Sequence, residues 1–332
     1  MIKPLLLADM QEKKEGRGED SEPILFDGDS SILLGVFDGM GGAGSAECVS
    51  DYSHDGINMT NAYVGSRIIR DAIERYVTDN PSILVEQDLQ SKLTDIISSR
   101  YKEEKSKYPQ LTKSALRSSL IKEYPTTMAI ACITRSESDY SIDSYWAGDS
   151  RNYVWTREGL FQISIDDLTG NIDPMQNLSE DAPMSNCLQA NAPFKINHKK
   201  ISFKLGKQFV VISATDGCFG YYPSPMDFEI ALIVSLRKAK SIDSLRDNLS
   251  AAFAQVTADD FSFSIAAIGF KDFSDLKSLL SKPSTLIKDY YRKREQLTTL
   301  LNQVEKQRTI VERRLNELWP EYKKNYLNCM NE

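Results

Sequence analysis

The chain has few cysteines, and no pairing pattern links them. Its 332 residues include five scattered cysteines, no two of which are separated by only two residues: Cys48, Cys132, Cys187, Cys218 and Cys329. An odd number at irregular spacing predicts neither a disulfide framework nor a zinc site. The cysteine usage is therefore typical of a protein from a reducing compartment.

Long apolar runs and an excess of positive charge are also lacking. The apolar stretch near the start, residues 4–8, is too short for a signal peptide. Nothing in the chain approaches the roughly 18 apolar residues that a membrane-spanning helix needs. The net charge is −7, whereas general nucleic-acid binding requires a basic face. We therefore expect a soluble, cytoplasmic protein that binds neither membranes nor nucleic acid.

Short apolar runs bounded by glycine, aspartate and serine fill the chain up to about residue 271. Such runs predict β-strands, here at 31–37, 128–134, 140–146, 152–155, 208–214 and 261–268. The segments between them with apolar residues at helical spacing are 61–77, 82–101 and 227–255. Clustered strands with helices inserted between the clusters predict an α+β sandwich.

From Pro283 onwards the composition changes, because glycine is absent and Glu, Lys, Arg, Gln and Leu dominate. Apolar residues recur there at alternating steps of four and three, interrupted only by Arg308: Leu297, Leu301, Val304, Val311, Leu315, Leu318 and Tyr322. This heptad pattern predicts a long helix, which Pro320 should kink or restart. We place the domain boundary between 1–272 and a helical extension at 273–332.

Two interpretations of this extension remain open. The helix either packs against its own domain or forms a coiled coil. A coiled coil over residues 284–330 would make a homodimer or dock a partner protein.

Four aspartates stand at the ends of predicted strands: Asp38, Asp149, Asp216 and Asp259. One aspartate beside glycine is usually only a turn, but four that each border an apolar strand indicate a shared site. Converging carboxylates suit Mg²⁺ or Mn²⁺. Two such ions would hold a phosphate and lower the pKa of a water between them. Gly39, after Asp38, would let the main-chain carbonyl approach a metal closely.

These residues resemble the motifs of one family, the metal-dependent protein phosphatases (type 2C or PPM serine/threonine phosphatases). The similar segments occur in the family's order: Glu19–Asp20, Val36–Gly42 in the bacterial form with methionine, Pro125–Met128, Gly148–Arg151, Ser213–Gly217 and Asp259–Ser262. The resemblance covers about residues 15–270. It implies a four-layer α/β/β/α sandwich, with two antiparallel sheets flanked by helices and the metals at one end between the sheets.

The resemblance also assigns roles to the aspartates. Asp38 would bridge two Mn²⁺ or Mg²⁺ ions, with the carbonyl of Gly39 as a further ligand. Asp216 and Asp259 would hold one of these ions, and Asp149 with Asp216 would provide for a third. Asp38 and Asp216 are thereby expected to be catalytic as well as metal-binding.

The remaining expected site residues come from the first twenty residues. Glu19 and Asp20 would bind the metals directly or through waters. Arg17 is the expected catalytic phosphate-binding cation, although the family usually places its arginine four residues before the acidic pair. Lys13 or Lys14 could substitute for it. Methionine stands where some relatives carry a histidine as the candidate general acid, so a metal-bound water would protonate the leaving group.

The implied activity is hydrolysis of phosphoserine and phosphothreonine in proteins by a metal-bridging hydroxide. The implied partners are phosphorylated proteins and a cognate serine/threonine kinase. Three departures from the family motifs support the alternative of a catalytically weak or inactive, phosphoprotein-binding pseudophosphatase: Arg17 has an altered spacing, Pro125 replaces a glycine, and Asp166–Asp167 replaces Asp-His. A third hypothesis is a scaffold that works through its C-terminal helix.

Overall fold

The computed structural model describes residues 3–53, 57–85, 88–108, 122–137, 139–170, 173–178, 182–204 and 206–328. The chain divides into two units, Met1–Lys282 and Pro283–Glu332. The boundary therefore follows Lys282 rather than residue 272. The physical reason is that the helix Phe273–Leu280 buries Leu276 and Leu280, and Leu276 packs among strand and helix residues of the first unit.

Over the described residues, the first unit contains two five-stranded antiparallel sheets and one small two-stranded sheet. The strands are β1 (Leu5–Gln11), β2 (Ile24–Asp27), β3 (Ser31–Val36), β4 (Glu47–Cys48), β5 (Met59–Thr60), β6 (Met128–Arg135), β7 (Asp139–Ala147), β8 (Arg151–Thr156), β9 (Gly159–Gln162), β10 (Asn197–Lys204), β11 (Phe209–Ala214) and β12 (Phe261–Ile268). The first sheet has the order β1-β12-β11-β8-β9, the second has the order β10-β7-β6-β3-β2, and β4 pairs with β5.

Helices cover the outer face of each large sheet. In chain order they are α1 (Gly41–Gly44), α2 (Asn61–Asp79), α3 (Leu89–Lys107), α4 (Asp216–Phe219), α5 (Pro225–Lys238), α6 (Ile242–Ala254) and α7 (Phe273–Leu280), with 3₁₀ turns at Pro81–Val85 and Gln176–Leu178. The apolar faces of α2 and α3 pack on the second sheet, and those of α5, α6 and α7 pack on the first. The result is the predicted four-layer α/β/β/α sandwich.

The central strands are apolar on both faces because both faces are covered. In β11, Val210 and Ile212 point towards the helices, whereas Phe209 and Val211 lie in the core between the two sheets. This is the alternation of a strand, whose successive side chains point to opposite faces. Continuous burial explains why such strands are recognisable in the sequence as unbroken apolar runs.

Two helical predictions need correction. The segment 227–255 forms two helices, because Ala239 is extended and Ser241 caps a new helix by accepting a hydrogen bond from the N–H of Ser244. The segment 82–101 begins as the 3₁₀ turn, and the α-helix itself runs from Leu89 to Lys107.

The second unit contains one long helix, α8 (Lys288–Asn328), of 41 residues. The helix continues through Pro320 instead of restarting there. A proline removes only one N–H donor, and the helical turns on both sides persist. The heptad side chains are exposed: Leu301 is 59% and Val311 is 66% accessible. No helix in the described part of the chain combines the length and apolar character that crossing a bilayer requires.

Candidate metal centre

The predicted aspartates come together at one end of the sandwich. Asp38 follows β3 and Asp149 follows β7. Both therefore lie where strands of the second sheet end, on the same side of that sheet. Asp216 follows β11 and Asp259 precedes β12, so both lie at the corresponding edge of the first sheet. Each sheet therefore contributes two of the four carboxylates.

The electrostatics show that these carboxylates are close to one another. Burial raises the pKa of Asp38 well above its ordinary value, and the negative charges of Asp20, Asp216, Asp149 and Asp259 raise it further. Burial likewise raises the pKa of Asp20 and that of Asp149 to about 8. The pKa of Asp216 rises to about 6, through burial and then the charge of Asp259. Such a concentration of buried negative charge favours a bound cation.

Hydroxyl groups from neighbouring elements fix the acidic pair after the N-terminal turn. The Thr215 hydroxyl donates to the carboxylate of Asp20 at 2.8 Å, and the Thr60 hydroxyl donates to Glu19 at 2.7 Å. Thr215 directly precedes α4, and Thr60 is the N-cap of α2. Both carboxylates are therefore held by helix starts that face the strand ends.

The chain after Asp38 must pass very close to other atoms. A Cβ at Gly39 would overlap the carbonyl oxygen of Ala62, and a Cβ at Gly41 would overlap the carboxylate of Glu19. The main chain of Asp38 is also fixed, because its carbonyl accepts the N–H of Thr127 at 2.8 Å. A side chain at either position would have to displace the carboxylate or the carbonyl that the backbone approaches.

The residues present fit a hard divalent cation. Asp149 Oδ1 is buried and has no hydrogen-bond partner in the structure, which is the state of an oxygen that needs a ligand. The carboxylates of Asp38 and Asp216 are close enough for the charge of Asp216 to raise the pKa of Asp38. Within the described ranges, no three acidic, histidine or cysteine side chains are arranged as a ready-made metal site.

The other predicted site residues, Glu19, Asp259 and Arg17, differ in position and in exposure. Glu19 lies at the centre, since its carbonyl accepts the N–H of Gly39 at 3.2 Å. Asp259 is exposed as a residue, but neighbouring atoms partly shield its carboxyl group from water, and this desolvation together with the charge of Asp260 raises its pKa. Arg17 is exposed on the preceding turn, where its N–H donates to the carbonyl of Lys14.

The sequence analysis missed several residues that organise this centre. Asp260, rather than its neighbour, accepts the N–H groups of Lys13 and Glu19, each at 2.6 Å, and so attaches the N-terminal turn to the start of β12. Arg67 on α2 packs on the ring of Tyr63, with its guanidinium carbon 3.4 Å from the ring centroid. The acidic doublet at β12 gave a sequence signal for Asp260, whereas nothing in the helical pattern of α2 singles out Arg67.

A buried ion pair lies next to Asp149. The guanidinium of Arg151 donates twice to the carboxylate of Asp166, at 2.9 and 2.6 Å, and stacks on the ring of Phe219 at 4.2 Å. Asp149, Asp166 and Asp216 line a cavity of about 180 Å³ beside this pair. A single water or cation with its hydration shell fits such a volume.

No family model matches the chain, and no curated protein matches it. Among solved structures, it is similar to a bacterial serine phosphatase, with 18% identity over 81% of this chain and 98% of the other and a TM-score of 0.54. Stp1, a serine/threonine phosphatase of Staphylococcus aureus, shows 20% identity over 81% and 95%, with a TM-score of 0.54. PstP/Ppp, the Mycobacterium tuberculosis serine/threonine phosphatase, shows 15% identity over 79% and 97%, with a TM-score of 0.51.

At these identities the likeness establishes the fold. The first unit has the fold of the bacterial serine/threonine phosphatases, as the sequence motifs predicted.

Proposed function

We propose that this chain is a cytoplasmic, metal-dependent phosphatase that hydrolyses phosphoserine and phosphothreonine in proteins. The observation that carries the proposal is the group of buried carboxylates, Asp20, Asp38, Asp149 and Asp216, at the sheet edge of a fold that serine/threonine phosphatases share. Phosphorylated proteins are its substrates, and a serine/threonine kinase supplies them.

The residues divide the work according to position. Bound Mn²⁺ or Mg²⁺ would activate a water and neutralise phosphate oxygens. Asp38 on the second sheet and Asp216 on the first, whose charges interact, would hold the ions. Asp149 offers an unpartnered oxygen for a further ion. Arg17 is exposed beside the acidic pair and is free of the constraints of a helix or strand, so it can reach a phosphate.

The proposal is tested with para-nitrophenyl phosphate and a phosphothreonine peptide, in EDTA, Mg²⁺ and Mn²⁺. We expect turnover only with a divalent ion. Loss of a group that supports a metal ligand costs about 10–100-fold. Asp38→Ala removes a ligand itself and should therefore reduce kcat by more than that. Asp143→Asn is the matched control, because Asp143 bonds His198 and Lys200 on the outer strand pair β7–β10. Full activity of Asp38→Ala would contradict the proposal.

A second candidate is a phosphoprotein-binding pseudophosphatase. It is favoured by the exposure of Arg17 and by the two departures at Pro125 and Asp167. This alternative predicts that folded protein binds the phosphothreonine peptide but shows no turnover at millimolar Mn²⁺. Metal-dependent turnover would rule it out.

A further inference from the structure

The carboxylate of Asp167 accepts several hydrogen bonds, and the catalytic motifs do not account for them. Its carboxylate accepts the N–H of Gly148 at 3.0 Å, the side-chain amide of Asn186 at 2.6 Å and that of Asn197 at 2.9 Å. In return, the N–H of Asp167 donates to the carbonyl of Gly148 at 3.0 Å. Gly148 is thus held by Asp167 on both its N–H and its carbonyl.

Gly148 determines the direction of the metal ligand that follows it. Its φ of +96° lies in the left-handed region, which favours glycine. A Cβ would also stand 2.8 Å from the side chain of Thr127. A glycine allows many backbone conformations, so an external contact must select one. The two hydrogen bonds with Asp167 make this selection and thereby aim the unpartnered oxygen of Asp149.

The other bonds of Asp167 belong to the loop that leaves it. The carbonyl of Asp167 accepts the N–H of Ser185 at 2.7 Å, and the N–H of Thr169 donates to Pro183 at 2.9 Å. Asn186 also donates to the carbonyl of Lys195 at 2.9 Å. These bonds join residues 167–169 to residues 183–186, and Asp167 belongs both to this pairing and to the metal edge.

The chemistry of this point requires a carboxylate. Three N–H groups converge on the side chain, and an ionised carboxylate is the one common side chain with two acceptor oxygens and no donor. An asparagine would turn an NH₂ group towards one of these donors. Bonds to a charged acceptor are also stronger than neutral ones.

We propose that Asp167 is a positioning residue that fixes the main chain of Gly148 and thereby aims Asp149 at a divalent ion. Asp166 holds the opposite flank, since it pairs with Arg151. The two adjacent aspartates thus fix the chain immediately before and shortly after Asp149. The inference rests on the metal centre of the proposed function, and it assigns Asp167 no contact with substrate.

The test is Mn²⁺ binding to the full-length chain, measured by titration calorimetry and by the electron paramagnetic resonance of free Mn²⁺. We expect Asp167→Ala and Asp167→Asn to weaken one class of Mn²⁺ site by about 10–100-fold, the cost of losing a group that orients a ligand. The other sites should keep their affinity. Asp143→Asn is the control for removing a carboxylate from the same part of the sheet and should bind Mn²⁺ as the wild type does.

Wild-type affinity at every Mn²⁺ site in both Asp167 variants would overturn the inference, as would a wild-type chain that binds no Mn²⁺. If the Asp167 variants do not fold, Asn197→Ala replaces them, since it removes one donor and should weaken the same site several-fold. An unchanged affinity in Asn197→Ala would then overturn the inference. Weakened Mn²⁺ binding in a chain without turnover would support the positioning role of Asp167 while the proposed phosphatase activity fails.

Discussion

At the scale of single residues, the backbone of Gly41 lies very close to the side chain of Glu19. A Cβ at Gly41 would overlap the Glu19 carboxylate, whereas a Cβ at the neighbouring Gly42 has no atom within 4 Å. The two glycines belong to the same short helix α1 and differ only in what they face. They therefore form a matched pair for mutagenesis.

We predict that Gly41→Ala displaces the Glu19 side chain and raises the Mn²⁺ concentration needed for half-maximal activity about tenfold, as for loss of a group near a metal ligand. Its melting temperature should change little, because the displaced carboxylate is the end of a flexible side chain. Gly42→Ala should match the wild type in both measurements. Equal Mn²⁺ dependence of the two variants would contradict this explanation.

The sequence predicts those site residues that stand at the end of an apolar strand. Asp38, Asp149 and Asp216 stand beside glycine at the ends of buried strands, and the structure brings all three together. The roles of Asp260 and Asp167 could not be assigned, because their partners Glu19 and Gly148 are distant from them in the sequence.

At the scale of elements, the strands of the two large sheets that escaped prediction are β1, β9, β2 and β10. These are the four edge strands of the two large sheets. An edge strand is only partly covered, so its side chains need not be apolar: β10 alternates mostly exposed and half-buried positions. The central strands were predicted because covering on both faces requires continuous apolar residues, whereas edges leave the pattern ambiguous.

The exposed heptad residues of α8 suit pairing with a second copy of the chain. Arg308 lies within the seam, but its guanidinium donates to Glu312 of the same helix at 2.9 Å and lies 4.0 Å from Glu305. Its charge is therefore neutralised before any partner arrives. A second seam can pack against it without burying an unpaired charge.

We accordingly predict that the full-length chain is a dimer at micromolar concentration, as measured by sedimentation velocity. Leu301→Glu should yield monomers, because it places a charge in an apolar core position. Gln303→Glu adds the same charge outside the seam and should leave the dimer intact. A monomeric wild-type chain would contradict self-association and leave a different protein as the partner of α8.

At the scale of the whole molecule, the buried carboxylates make stability depend on pH. An aspartate ordinarily ionises near pH 3.8, whereas the pKa values of Asp20 and Asp149 are about 8 and that of Asp216 is about 6 in the folded chain. Between these values the unfolded chain loses protons that the folded chain retains. The stabilising effect of the raised pKa values is therefore full below pH 4 and is lost as the pH rises to about 8.

We predict that in EDTA the contribution of these groups decreases by several kcal/mol between pH 5 and 8, with about 2–4 °C of melting temperature per kcal/mol for a chain of this size. Calorimetric melts should show a shallower decrease for Asp149→Asn, which removes one titrating group. A wild-type melting temperature that rises over this range in EDTA, with the same slope in Asp149→Asn, would contradict the assignment.

The division of the carboxylates between the two sheets has a consequence for the protein in a cell. A cation held by Asp38 and Asp216 would join the sheets, and ligands that bind only the folded state protect it from unfolding. Unfolded chains are removed by proteases, so small changes in stability alter abundance several-fold. The steady-state amount of this protein should therefore follow the supply of divalent ions, even for copies that never meet a substrate.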